Sequence, residues 1–307
     1  MDTRAYPILR PCTGPTRRVR SSCGPLFGRR ARSAPLTVRS CGRPLESPTA
    51  GLLPPENPFT GPVIDLAERL HSLATPTQRR RLVDAHLSWY LGVAGERAAR
   101  QQQLTPTLND YLYTRLLYVA GFSTIAWLQV SQLDDIPDTE INFPAVHALT
   151  EMASMVAALD DDLFSYGKEL WHASRHPQTT GPILNLVDLY QSYDQCSREE
   201  AQRRVVALRD RILARFTEVR DLVLPGAVQA LRRYLSDLTC LIRGNYEWGI
   251  EVGRYTNPDG RHPGAIKSPA RSPTGPAPSA RPKASLASDG GGKTCPDWTD
   301  CSRRWRS

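Results

Sequence analysis

Between Asp2 and Glu46 the chain has no acidic residue at all. That stretch can supply neither a carboxylate metal ligand nor a carboxylate general base. No two cysteines have C-x-x-C spacing, which excludes the zinc and thioredoxin-type patterns. No run approaches the ~20 uninterrupted apolar residues of a membrane span, and the basic N-terminus lacks an apolar stretch of signal-peptide length. The two-residue alternation of a half-buried strand is missing from the body, so sheet folds are set aside.

What is present is unevenly spread. The 307 residues carry a formal net charge of +8. Residues 1–50 hold ten arginines against two acids, and residues 261–307 hold nine lysines and arginines against three acids. The body between them is net acidic. A nucleic-acid footprint belongs on a folded basic surface, so no nucleic-acid partner is expected. Five of the seven cysteines lie in the basic ends; Cys196 and Cys240 lie in the body. Two scattered thiols in a helical body suit a reducing cytoplasm.

Composition divides the chain into three. Residues 1–57 are Arg/Pro-rich, with seven prolines in the first fifty, and residues 259–307 are Pro/Gly/Ser-rich. Both are aperiodic and are expected to be disordered; an Arg-rich, acid-poor start also fits an organelle transit peptide. Residues 58–258 show helical periodicity throughout and are expected to form one all-α domain of about seven helices. Thr75-Pro76, Thr107 and Ser197-Arg-Glu-Glu200 read as helix starts. Gly121 is expected to bend a helix, 134–144 to be a loop, and Pro225 to open the last long helix.

Leu159-Asp-Asp-Asp-Leu-Phe-Ser-Tyr-Gly-Lys-Glu169 interrupts an apolar helical run. Asp161, Ser165 and Glu169 are spaced four and four, which places them on one helix face. Two carboxylates and a hydroxyl form an oxygen-only ligand set suited to Mg²⁺. Lys168 and Tyr166 flank the stripe, within reach of an anion held by such a metal. Taken alone, the stripe also reads as a solvated helix face. Arg115 sits among Leu, Tyr and Val, and a buried arginine needs an anion or a carboxylate. Asn245 and Trp248 share a face near the end of the body, followed by Arg254-Tyr255. Asp134-Asp135-Ile-Pro-Asp138 matches a DDxxD pattern, but Pro137 imposes a loop, and solvated acids are the better reading.

Together these residues resemble the class I terpene synthases, particularly the bacterial cyclases. Asp161-Asp162-Leu-Phe-Ser165-Tyr-Gly-Lys168-Glu169 is similar to that family's second metal-binding motif. Pro106 to Arg115 resembles the segment ending in its diphosphate-sensing arginine. Asn185-Leu-Val and Cys196-Ser-Arg-Glu-Glu-Ala201 resemble the next helix pair, and Arg243-Gly-Asn245-Tyr-Glu-Trp248 with Arg254-Tyr255 resembles the C-terminal signature. The resemblance covers about residues 58–258. It implies an all-helical cyclase that ionises a prenyl diphosphate, most plausibly farnesyl diphosphate, at the mouth of an apolar cavity. Asp161, Ser165 and Glu169 would bind Mg²⁺. Arg115, Lys168, Arg254 and Tyr255 would grip the diphosphate; Asn245 and Trp248 are the expected cofactor-binding residues, and the Trp248 face would steer the carbocation. A homodimer is compatible with the family.

The resemblance also implies a first acidic motif more than a hundred residues upstream. Counting back reaches residues 15–30, which contain no acid. Residues 1 to about 50 therefore read as a frame-shifted or replaced end in front of a cyclase body. The alternative is a non-catalytic, cyclase-derived helical protein that binds diphosphate or a protein partner.

Overall fold

The computed structural model describes residues 45–48, 60–132, 135–175 and 182–256. The remainder of both basic ends and Asp134 lie outside the described residues. Among the described residues there are helices and turns and no strand, as the periodicity requires. The helices are α1 (Thr60–Leu73), α2 (Pro76–Gln101), α3 (Leu108–Tyr118), α4 (Gly121–Gln132), α5 (Asp138–Ile141), α6 (Pro144–Arg175), α7 (Leu186–Asp194), α8 (Arg198–Val223), α9 (Gln229–Glu251) and α10 (Gly253–Thr256). None of the described helices is long and apolar enough to cross a membrane.

Local capping chemistry sets several of these starts. Before α2, Thr75 Oγ1 accepts from Gln78 N at 3.2 Å while Thr75 N donates to Gln78 Oε1 at 3.1 Å. This is a reciprocal capping box. Thr107 Oγ1 accepts from Asp110 N at 3.2 Å at the start of α3, and Ser197 caps α8 through Glu200 N. Each such cap is worth about 1 kcal/mol.

Three boundaries differ from the sequence expectation. The chain breaks rather than bends near Gly121: Ala120 takes the left-handed region at φ 67° and Gly121 opens α4. Tertiary contacts account for the stop. Trp89 Nε1 donates to the terminal carbonyl of Tyr118 at 3.1 Å, satisfying an end group that a longer helix would have used. Pro225 opens only a 3₁₀ turn, Leu224–Gly226, and α9 starts at Gln229 after the extended residues Ala227 and Val228. Arg232 draws the turn together by donating to Ala227 O and Pro225 O. Within the expected loop 134–144, Asp138–Ile141 forms one short helical turn.

The chain divides into two compact units. Among the described residues, one takes in those up to Ala98 together with Thr114–Asn142, the other Ala99–Tyr113 together with those from Phe143 onward. In the first, Ala67 and Leu70 of α1 pack with Leu82 and Val83 of α2 and with Ala126 and Val130 of α4. Leu45 joins this core at 4% exposure, and its carbonyl lies 3.1 Å from His71 Nε2. The DDxxD-like acids also have partners in this unit. Asp135 accepts from Thr75 Oγ1 at 2.8 Å, and Asp138 pairs with Arg81 at 2.5 Å.

In the second unit α6 is central and packs against α8 and α9. Its middle is apolar on nearly every side: Leu159, Leu163 and Phe164 are buried with Leu186 and Val187 of α7 and Val205 of α8. A helix buried all round must find a partner for each polar group it carries. Those partners build the site.

Candidate functional site

Asp160, Asp161 and Asp162 are consecutive, and at about 100° per residue they point three ways. Asp160 is 1% exposed and pairs with Arg209 of α8 at 2.7 Å. Burial outweighs that arginine and raises its carboxyl from 3.8 to about 6. Asp162, also buried, accepts from Tyr111 OH of α3 at 2.6 Å and from Leu186 N at 3.1 Å. These two aspartates fasten α6 to its neighbours. Asp161, half-buried, has the direction of the stripe.

Along that stripe Ser165 Oγ donates to Glu169 Oε1 at 2.7 Å, and Asn185 Nδ2 donates to Glu169 Oε2 at 3.2 Å. The Tyr255 hydroxyl, from the far end of the chain, donates to Asp161 Oδ1. The Tyr255 ring is buried. It stacks on Phe164 with centroids 6.0 Å apart, and the edge-on ring of Trp248 lies 5.8 Å away. Lys168 Nζ stands 5.1 Å from its centroid and the Arg254 guanidinium 5.8 Å. Cations over an aromatic face are held there electrostatically. The oxygen stripe, Lys168, Arg254, Tyr255 and Trp248 are therefore neighbours within one unit.

Other expected residues are placed differently. Tyr166 does not flank the stripe: it is 2% exposed, and its hydroxyl donates to Asp188 Oδ1 at 3.0 Å. One residue past Ser165, its direction is rotated away from the stripe. Burial, together with the Asp188 charge, pushes its phenol well above the usual range. Asn245 donates to the Ala157 carbonyl of α6 at 3.2 Å, so its amide joins α9 to α6. Trp248 keeps about half of its surface open. Arg115 belongs to the other unit, where it is 5% exposed with its guanidinium 4.7 Å from the Tyr118 centroid.

Sequence reasoning missed Asn185 as a site residue, and it missed Gly249. A Cβ at Gly249 would lie 2.3 Å from the Phe164 ring, which is itself 1% exposed and has no room to swing away. Gly249→Ala is therefore expected to cost about 1–3 kcal/mol by overpacking. Thermal denaturation checks it, and an unchanged midpoint would mean that Phe164 is not seated against α9.

The stripe fits a magnesium ion by donor chemistry. All its donors are hard oxygens, they lie on one rigid helix, and Glu169 is oriented by two hydrogen bonds. Among the described residues no three His, Cys, Asp or Glu side chains form a metal cluster.

The family model described as terpene synthase family 2, C-terminal metal binding, matches residues 37–215. The chain belongs to the terpene synthase family. Phomopsene synthase from Allokutzneria albata is 49% identical over 226 residues, which is 74% of this chain and 61% of that protein. The chain thus spans about three-fifths of that relative's length. Among solved structures, the SVS_A2 protein from ancestral sequence reconstruction matches with a TM-score of 0.63 at 38% identity, covering 73% of this chain and 65% of that one. The 2-methylisoborneol synthase of Streptomyces coelicolor A3(2), solved with Mg²⁺ and geranyl-S-thiolodiphosphate, matches with a TM-score of 0.58 at 18% identity. It covers 72% of this chain and 70% of that one, a likeness of fold. The terpene synthase match begins at residue 37, inside the stretch expected to be foreign to the body.

Proposed function

We propose that this terpene synthase chain belongs to the class I cyclases and takes part in Mg²⁺-dependent ionisation and cyclisation of a prenyl diphosphate, with farnesyl diphosphate the first to test. One observation carries the proposal. Tyr255 reaches back to Asp161, so the last described turn of the chain and the oxygen stripe of α6 share one hydrogen-bonded cluster with Lys168 and Arg254 beside it. The Mg²⁺ and thiolodiphosphate bound by the S. coelicolor enzyme support it.

In this reading Asp161, Ser165 and Glu169 hold the ion. Bound there, Mg²⁺ supplies positive charge against the departing diphosphate. Lys168 and Arg254 donate N–H groups to diphosphate oxygens, and the Tyr255 hydroxyl, which gives its one hydrogen to Asp161 here, would turn it to the diphosphate once the ion takes that carboxylate. Trp248 offers an aromatic face to a developing cation, and Asn245 holds α9 in place beside it. Cys196 and Cys240 of the body are thiols, which fits a cytoplasmic setting.

A second reading has its own observation. The sequence offers no acid between Asp2 and Glu46 where the family's first motif is expected, which favours a diphosphate-binding protein with little chemistry. Incubating the chain with Mg²⁺ and C10, C15 and C20 prenyl diphosphates, with gas chromatography of the extracts and calorimetry of diphosphate binding, separates the two. Mg²⁺-dependent binding with cyclised product, even at a low rate, is the result expected of the cyclase, and binding without product is the result expected of the second reading. Brisk turnover would show that the first acidic motif is not needed where it was sought, and absence of Mg²⁺-dependent binding would remove the magnesium reading.

A further inference from the structure

Asn185 is fully buried between three partners. Its Oδ1 accepts from Val187 N at 3.0 Å, capping α7. Its Nδ2 donates to the Asp162 carbonyl at 2.9 Å and to Glu169 Oε2 at 3.2 Å. The orientation of the amide is forced. Turned over, it would set Nδ2 against the Val187 N–H and Oδ1 against two acceptor oxygens. The position needs one acceptor and two donated hydrogens from a short side chain. Asparagine meets that need; serine has a single hydrogen to give and aspartate has none.

The consequence falls on Glu169. One carboxylate oxygen accepts from Ser165, a neighbour one turn earlier on the same helix. The other accepts from Asn185, which lies on a different element whose next two residues, Leu186 and Val187, are completely buried. A glutamate side chain has three rotatable torsions and gives up ~1.5–2 kcal/mol of rotamer freedom when fixed. Tied at both oxygens, Glu169 has already given up much of that freedom.

From this geometry we infer that Asn185 is a positioning residue for the metal stripe: the cap of α7 is also the clamp that pre-orients the Glu169 carboxylate for a divalent cation. The inference rests on the magnesium reading of the stripe. Partners one shell out from a metal typically set its affinity by ~10–100-fold, because they fix the orientation of the ligand that touches the ion.

The test is calorimetric titration of Mg²⁺ into the full chain in the presence of inorganic pyrophosphate, alongside thermal denaturation. Asn185→Ser and Asn185→Asp both keep a good N-cap acceptor and both lose the doubled donation. If the serine variant does not fold, the aspartate variant carries the comparison. Mg²⁺ affinity is expected to fall at least ~10-fold in the folded variants, measured well below their midpoints, and further for Asn185→Asp because it sets a second carboxylate against Glu169. Glu169→Ala serves as the control and is expected to lose the binding altogether. If the control loses binding while both Asn185 variants keep wild-type affinity, with only their midpoints lowered, Asn185 is merely structural and the inference is overturned. If Glu169→Ala binds as wild type does, or wild type does not bind, the magnesium reading fails and this inference goes with it.

Discussion

Glu169→Ala is expected to abolish Mg²⁺-dependent binding of pyrophosphate or of a prenyl diphosphate while leaving the chain folded. The stripe holds two carboxylates, and the variant removes one of them. An oxygen site for Mg²⁺ depends on carboxylate charge, because the ion gives up its water reluctantly. The loss should therefore exceed the ~100-fold that changes one shell further out can produce. The structural cost is small by comparison. Ser165 Oγ loses its acceptor, and Asn185 Nδ2 keeps the Asp162 carbonyl, so about 1–3 kcal/mol of stability is at stake. Calorimetry and a melting curve on the same sample read both numbers. Retained binding in a folded variant would mean that the stripe is not a metal site.

Arg209→Met should be the most destabilising single change among those argued from this structure. It leaves the Asp160 carboxylate 1% exposed with its arginine gone, and breaking a buried pair from one side typically costs 3–5 kcal/mol. The pH dependence has a definite sign. The folded carboxyl already stands at about 6, above its ordinary 3.8, because burial outweighs Arg209. Between those values the folded state holds the extra proton. The contribution of this group to stability is thus full below about 3.8 and is lost as pH rises through about 6. Without Arg209 the folded value moves higher still. The variant should lose most stability near pH 7.5 and markedly less near pH 5, where Asp160 can be neutral. Urea denaturation at the two pH values measures this. Equal losses at both would show that the Asp160 charge is not what the arginine neutralises. Asp160→Asn in the same background should restore part of the loss at pH 7.5.

Much of the helical plan was legible because its causes are local. Thr75 with Gln78, Thr107, and Ser197 with Glu200 start helices through side chains within three residues of the backbone they satisfy. Where the cause lies elsewhere in the chain, the reading slipped. Trp89 takes the carbonyl that ends α3, and Arg232 gathers the turn before α9. Trp89 lies 29 residues from the carbonyl it takes, and Arg232 reaches back five and seven residues, beyond the three-residue span of the caps.

The candidate site divides along the same line. The spacing of Asp161, Ser165 and Glu169 is a property of one helix, so the sequence alone determines that three oxygen ligands share a face. It determines equally that Asp160 and Asp162 point elsewhere, although it cannot say toward what. Only the tertiary structure decided that Asp160 meets Arg209, that Asp162 meets Tyr111, and that Tyr255 returns to Asp161. It also decided that Asn185 holds Glu169 from another element, and that Gly249 must be bare for Phe164 to support the Tyr255 ring. Helical periodicity fixes direction around a single axis. Which residue waits in that direction depends on how separate helices pack, and that packing is set by side chains distant in the chain.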